Sequence, residues 1–256
     1  MKKKIIALCL IVALAATAVI GGTLAYFTDT DEAVNTFTMG NVQIALQEVF
    51  DENNAVLRPG TQKENAIQKE VTIKNTGSED AYVWYEYYIP TDLDSTDGST
   101  GTNNIVHVNS AGRTWDNYRE SEKYWAEGQT EALPLEKTWD HDPEKETGIA
   151  VGPQGYIRQE TLEDGITYNV YLALYHGKLA KNEVTSVGMT QVYLDSKVDN
   201  YVDANGKTIY TINGKDLTYD LTKGVNIIVK AYGIQAAGFD NVYDAFAAYR
   251  AQAAQA

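Results

Sequence analysis

The strongest local signal in this sequence is YVDANGKTIYTINGKDLTYDL (201–221), where two Asn-Gly pairs separate short runs of β-branched and aromatic residues. Asn205-Gly206 and Asn213-Gly214 are typical of two-residue type I′ turns, in which both central residues need a positive φ. The pattern predicts three short strands joined as a meander. Tight turns of this kind join antiparallel strands, so the segment strongly limits the fold that the chain can adopt.

Further strand signals occur along the chain. VTIKNTGSEDAYVWYEYYIP (71–90) reads as strand, turn and strand, and the second strand, bulky on both faces, is expected to be central. Strands are also predicted at 41–49, 167–177 and 225–236. Strands this frequent, without intervening helices, predict an all-β fold, an antiparallel β-sandwich or jelly roll with loop insertions.

Three segments depart from the strand pattern. The polar stretch 91–104 is predicted to be a solvated loop, and 110–165 an elaborated insertion in the domain that spans 26–236. The final segment, 237–256, is predicted to be a short C-terminal helix and tail. Asp240 is a candidate N-cap. The apolar residues of the segment recur at helical spacing, and they are Phe239, Val242, Tyr243 and Phe246.

The N-terminus has the pattern of a secretory signal peptide, assigned to residues 1–25. Three lysines precede an apolar run, 5–20, which would form about 24 Å of helix. Thr23 and Ala25 supply the small residues that a signal peptidase needs, so we expect cleavage before Tyr26. A cut after Ala18 also fits the small-x-small rule, and an uncleaved membrane anchor is the other alternative.

Cleavage after Ala25 would change the charge and the cysteine content. It removes three lysines, which takes the net charge from −14 to −17, and it removes the only cysteine, Cys9. The secreted domain would therefore depend on its core rather than on disulfides. Such acidity argues against nucleic-acid partners and against anionic membrane surfaces. Contact with a membrane is expected only through the uncleaved leader.

No motif for catalysis or for a cofactor is present. The three histidines are far apart, and no H-E-x-x-H sequence places two of them on one helix face, as common zinc proteases require. There is also no G-x-S-x-G motif and no glycine-rich phosphate loop. We therefore predict no catalytic residues, no zinc ligands, no cofactor and no enzymatic activity. The histidines are His107, His141 and His176.

An acidic chain offers carboxylate oxygens of the kind that calcium binds. The loop sequence DLDSTDG contains Asp92, Asp94 and Asp97, which are weak candidates for an extracellular calcium site, although the glycine is one place late for an EF-hand loop. The sequence DANG (203–206) lacks the other EF-hand ligands and is better interpreted as a hairpin turn.

The chain contains 18 tyrosines and 4 tryptophans. The tyrosines lie within predicted strands, which favours cross-strand pairing over a sugar-binding platform. A carbohydrate- or surface-binding β-sandwich remains an alternative, in which exposed tryptophans would stack on sugar rings. The candidates are Trp115, Trp125 and Trp139.

Four pieces of the chain, in order, resemble the TasA/camelysin family of exported bacterial proteins. They are GGTLAYFTDT at 21–30, TFTMGNVQI at 36–44, LRPG before KEVTIKNTGSEDAYVWYEY at 57–87, and VKAYGIQAAGF at 229–239. The leader motif is the most specific of the four. The positions that carry the structural part of the resemblance are Phe37, Gly40, Val42, Ile44, Pro59, Gly60, Asn75 and Gly77.

The resemblance implies a jelly-roll protein of a Gram-positive bacterium, cut by a SipW-type signal peptidase, secreted to the cell surface and assembled into biofilm matrix fibres. In such fibres the new N-terminus, 26–37, would add as a strand to the next subunit, so the expected partner is a second copy, with other matrix components possible. The assembly strand would contribute Tyr26, Phe27, Val34 and Phe37. Camelysin-like members are also described as metalloproteases, a less favoured alternative because no motif supplies zinc ligands.

Overall fold

The computed structural model describes residues 28–32, 35–36, 42–51, 55–61, 64–94, 104–110, 135–141 and 155–253. These residues form antiparallel sheets with one α-helix, which confirms the predicted all-β sandwich. In the part of the chain that the structure describes, no helix is long and apolar enough to cross a membrane.

The larger sheet has seven strands in the order β2-β1-β15-β6-β10-β8, with β9 also paired to β10. Its central strand, β6, is buried along all ten residues, as the sequence predicted. The strands are β1 (Thr28–Glu32), β2 (Asn35–Thr36), β6 (Ala81–Pro90), β8 (Trp139–Asp140), β9 (Tyr156–Thr161), β10 (Thr167–Tyr175) and β15 (Ile228–Gln235). Two of them, β8 and β9, come from the segment 110–165 that the sequence assigned to an insertion.

The second sheet has five strands in the order β3-β5-β11-β4, with β7 also paired to β11. They are β3 (Ile44–Phe50), β4 (Pro59–Gly60), β5 (Ile67–Asn75), β7 (Val106–Ser110) and β11 (Met189–Asp195). Alternate residues of β5 are buried, because one face of the strand packs against the larger sheet and the other faces solvent. Val71, Ile73, Val83 and Tyr85 belong to the continuous core between the two sheets.

The predicted meander is the third sheet, formed by β12 (Val198–Val202), β13 (Thr208–Ile212) and β14 (Lys215–Asp216). The turn prediction at Asn213-Gly214 holds, since φ is 52° at Asn213 and 75° at Gly214. The prediction at Asn205-Gly206 is wrong, because only Gly206 has a positive φ. There the Asp203 carboxylate accepts from the backbone N–H of Lys207 at 2.8 Å, and this stabilises a wider loop.

The C-terminal helix, α1 (Val242–Ala253), covers part of the outer face of the larger sheet. Its buried side chains pack against Trp84, Leu172 and Ile234. The predicted N-cap is one residue early, because Asn241, not Asp240, accepts a hydrogen bond from the backbone N–H of Asp244 at 2.9 Å.

Candidate functional site

The candidate site is the edge of the seven-stranded sheet, where the N-terminal segment lies against the last strand. β1 pairs with β15 in antiparallel register, with Thr28 opposite Ile234 and Asp31 opposite Ala231. β1 lies within the predicted assembly strand, 26–37, and β2 folds back on it as a short hairpin. Of the predicted anchors of this strand, Tyr26, Phe27, Val34 and Phe37 lie outside the described residues, as do Thr23 and Ala25 of the predicted cleavage site.

β15, the strand that pairs with β1, carries small residues on the face that points to the sandwich interior. A Cβ atom at Gly233 would lie 3.0 Å from Cγ2 of Ile44, so the glycine allows β3 to pack closely beneath the edge. Ala231, two residues away on the same face, is fully buried. The first strand of the five-stranded sheet therefore lies directly under the strand to which the N-terminal segment pairs.

β3 is the outermost strand of the five-stranded sheet and becomes exposed towards its end. Ile44 is buried, whereas Val49 is 61% exposed and Phe50 is 36% exposed. Lys69 on β5 forms an ion pair with Glu48, and its ammonium lies 4.7 Å from the centroid of the Phe50 ring. Phe50 also lines a neighbouring groove.

That groove has a volume of about 1000 Å³ and lies between the end of β3 and the residues leading into β15. Two charged side chains of the groove, Glu48 and Lys69, neutralise each other, and Arg58 is exposed. The lining is mainly apolar and includes Phe50, Val56, Leu57, Ile67, Leu194, Tyr210, Val225, Ile227 and Ile228.

The positions that carried the family resemblance have structural roles where they are described. Val42 and Ile44 are buried in the core. The buried side chain of Asn75 accepts from the Gly77 N–H at 2.9 Å and donates to the carbonyls of Glu79 and Leu179 at 2.7 and 2.8 Å. These bonds fix the turn between β5 and β6.

The Pro59-Gly60 pair forms β4, which runs parallel to β11. A Cβ atom at Gly60 would lie 2.3 Å from the carbonyl oxygen of Glu64, so this close turn requires glycine. The remaining motif residue, Gly40, lies outside the described residues.

The predicted calcium ligands have different environments. Asp92 is exposed, Asp94 is buried, and Asp97 lies outside the described residues. The Asp94 carboxylate accepts hydrogen bonds from the Asn169 amide, at 2.8 Å, and from the Tyr171 hydroxyl. Burial, together with the Asp94 charge, raises the pKa of Tyr171 above its usual value. Asp94 thus helps to attach the short helical turn at 91–93 to β10.

The three histidines occupy separate environments. His107 bonds Asp195 at 3.0 Å, His141 lies 3.4 Å from the Tyr85 hydroxyl, and His176 lies 3.3 Å from the Tyr243 hydroxyl. Within the described ranges, no three His, Cys, Asp or Glu side chains lie together as metal ligands.

Trp139 is buried, and its indole N–H donates to the carbonyl of Ser186 at 3.0 Å. Its ring packs against Tyr85 and Tyr175 at 4.8 and 5.1 Å between centroids. The hypothesis that Trp139 is an exposed sugar-stacking residue is therefore wrong. The other two candidates, Trp115 and Trp125, lie outside the described residues.

A polar cluster on the outer face of the larger sheet was not predicted from the sequence. Arg158 on β9 reaches Glu86 on β6 through two hydrogen bonds of 2.9 and 2.8 Å. Although burial acts to lower it, the bonds to Glu86 and Glu160 raise the pKa of Arg158. The Tyr88 and Tyr232 hydroxyls also donate to Glu86, at 3.2 and 3.3 Å.

The structure therefore defines an antiparallel β-sandwich whose N-terminal strand lies at a sheet edge. A family model described as camelysin metallo-endopeptidase matches residues 1–108, and this match confirms the resemblance to the TasA/camelysin family over those residues. No curated protein and no solved structure matches the chain.

Proposed function

We propose that this protein is an exported structural subunit of extracellular matrix fibres. In the fibre, residues 26–37 of one subunit would pair with β15 of the next, in the place that β1 occupies within its own chain. The observation that carries the proposal is the register of β1 on β15, because it identifies an edge whose backbone accepts this segment. The family match at residues 1–108 supports the same assignment.

The arrangement suits strand exchange because β2 and β1 lie at the outer edge of the larger sheet. β1 has four register pairs with β15, and β2 adds two pairs to β1. An element that pairs at an edge in its own chain can make the same contacts in a second copy, which is the principle of domain swapping. Exchange in one direction, from each subunit to the next, leads to an open filament rather than to a closed dimer.

Export would provide the switch. Cleavage after Ala25 would release the segment from the apolar leader and leave Tyr26 as the new N-terminus. Exchange replaces pairing within one chain by pairing between two chains, so each added subunit must be drawn from solution. Assembly should therefore depend steeply on protein concentration.

The test is electron microscopy of the purified chain that begins at Tyr26, at several concentrations. Fibres are expected from this chain, whereas deletion of residues 26–30 should leave a folded monomer. Deletion of the last five residues, 252–256, is the matched control and should leave fibres intact. Circular dichroism and cooperative melting would establish that each variant is folded. Fibres that persist without residues 26–30 would contradict the proposal.

The family description supports a second candidate, a metallo-endopeptidase. Incubation of the same preparation with casein, with and without EDTA, separates the two functions. Hydrolysis that EDTA abolishes would support the endopeptidase. Fibres without hydrolysis would support the structural subunit.

A further inference from the structure

β1 covers only part of the outer edge of β15. Its register ends with Asp31 opposite Ala231, although β15 begins three residues earlier, at Ile228. The chain then turns back, and β2 pairs with β1 rather than with β15. The start of β15 therefore lies beyond the end of the N-terminal hairpin.

The register predicts where a straight N-terminal strand would lie. In an antiparallel pair, each step forward on one strand is a step back on the other, so opening the hairpin would place Val34 opposite Ile228. Three residues further, Phe37 would lie opposite Val225. Val225, Ile227 and Ile228 line the apolar groove of about 1000 Å³.

Within one chain, this straight strand is out of reach. Ile44 packs against Gly233, which lies eight residues along the chain from Val225. If Phe37 lay opposite Val225, the connection from Phe37 to Ile44 would have to span those eight residues. That distance is about 26 Å at 3.3 Å per residue. Seven steps separate Phe37 from Ile44, and they span at most about 25 Å when fully extended. The short connection therefore forces the hairpin in a single subunit, but it does not constrain a strand supplied by another subunit.

The groove has the chemistry to receive Phe37. Residues opposite each other in an antiparallel pair lie on the same face of the sheet. Val225 and Ile227 pack against the core between the two main sheets, so Phe37 would point towards the groove rather than towards solvent. There it would meet Phe50, Leu57 and Tyr210, which also line the groove.

We propose that the groove is the acceptor pocket for Phe37 of a second copy, whose residues 28–37 pair along β15 as one continuous strand. The inference rests on the proposed function and specifies the register and the anchor of the exchanged strand. It also gives a reason for exchange to be favoured. Within one chain, β1 makes four pairs with β15, and the hairpin adds two pairs between β1 and β2. In the fibre, a strand of ten residues would instead pair along β15 and the residues that precede it.

Cysteine cross-linking tests the register. The chain that begins at Tyr26 contains no cysteine, because Cys9 is the only one in the sequence. A Val34→Cys chain mixed with an Ile228→Cys chain should form a disulfide-linked heterodimer in the fibre, since opposite residues have Cα atoms within the range of about 4.4–6.8 Å that a disulfide requires. Val34→Cys mixed with Val202→Cys is the control and should not cross-link, because Val202 lies on β12 and does not line the groove.

Glutamate substitutions at two exposed valines give a matched pair of variants of the subunit that carries the groove. Val56 is 59% exposed and lines the groove, whereas Val49 is 61% exposed and does not line it. Val56→Glu should raise the concentration at which fibres form by about tenfold or more, because the charge would be desolvated beside Phe37. Val49→Glu should change it less than about twofold, and both variants should melt like the parent protein.

The outcomes separate this inference from the proposed function. Fibres that form without the 34–228 cross-link, or with equal effects of Val56→Glu and Val49→Glu, would overturn the groove assignment and leave strand exchange intact. A parent protein that forms no fibres at any concentration would overturn both.

Discussion

The guanidinium of Arg158 reaches across β10 and forms a bidentate ion pair with the carboxylate of Glu86, on the central strand of the larger sheet. Glu86 is buried, while the Arg158 side chain is 39% exposed. A buried carboxylate needs such a partner, because the loss of hydration is otherwise uncompensated. The pair therefore ties the edge strand β9 to the sheet centre.

Arg158→Met should destabilise the fold by about 2–3 kcal/mol, somewhat less than the usual loss for a fully buried pair, because solvent reaches the guanidinium. Urea denaturation would measure the change in free energy of unfolding. The double variant Arg158→Met with Glu86→Leu should be more stable than the single variant, since it leaves no unpaired buried charge. Equal stability of the single and double variants would contradict this account.

Lys137→Met is the control for the Arg158→Met substitution. Lys137 also forms an ion pair, with Glu183, but these side chains are 44% and 30% exposed, so neither is buried as deeply as Glu86. Exposed pairs contribute little to stability, so this substitution should leave the denaturation midpoint nearly unchanged.

The local part of the fold could be predicted from sequence because it depends on neighbouring residues. Alternating burial on β5, the bulky central strand β6 and the turn at Asn213-Gly214 each follow from a few adjacent positions. The turn at Asn205-Gly206 was mispredicted for a related reason. The side chain of Asp203, two residues away, closes a wider loop that the Asn-Gly pair alone does not indicate.

Long-range pairing could not be predicted. Arg158 and Glu86 are 72 positions apart, and nothing near either residue indicates the other. The sequence marked the N-terminal segment as an assembly strand through its resemblance to a family. It could not indicate that the segment lies on β15 in its own chain, because that requires the order of strands in the sheet. Trp139 likewise lies in a polar stretch of sequence, yet two distant tyrosines bury it.

Asn75 should be essential for the turn that precedes β6. Its side chain forms three hydrogen bonds with backbone groups, and Asn75→Ala would leave buried polar atoms without partners. We expect a loss of about 2–4 kcal/mol in the free energy of unfolding, measured by urea denaturation. Asn200→Ala, at an exposed position of β12, is the control and should change stability by less than about 0.5 kcal/mol. A small effect at Asn75 would mean that the turn is held by other contacts.

Asp195 should make stability depend on pH. Burial acts to raise its pKa, but hydrogen bonds from His107 and from the backbone N–H of Lys197 outweigh burial and hold the pKa of Asp195 below its usual value. A carboxylate with a lowered pKa stabilises the fold above its unfolded pKa, and the contribution is lost as the pH falls through the folded pKa.

Asp195→Asn should therefore be less stable than the parent protein at pH 7, and the difference should narrow below about pH 4. Urea denaturation of both proteins between pH 3 and pH 7 would measure it. In a His107→Leu background, the pH dependence of the difference should weaken, because the imidazole hydrogen bond to Asp195 is gone. A difference that stays constant across this range would show that the Asp195 charge is not involved.

The C-terminal helix should be an integral part of the sandwich rather than a loose tail. Phe246 is buried and packs edge-to-face on Trp84 with 5.3 Å between ring centroids, so Phe246→Ala would open a cavity over the central strand. We expect a loss of about 3–5 kcal/mol in the free energy of unfolding. Because Trp84 would gain access to water, its fluorescence should shift to longer wavelength in the native state. Ala247→Ser, at the adjacent exposed position, should change neither quantity. Unchanged stability in Phe246→Ala would mean that the helix does not contribute to the core.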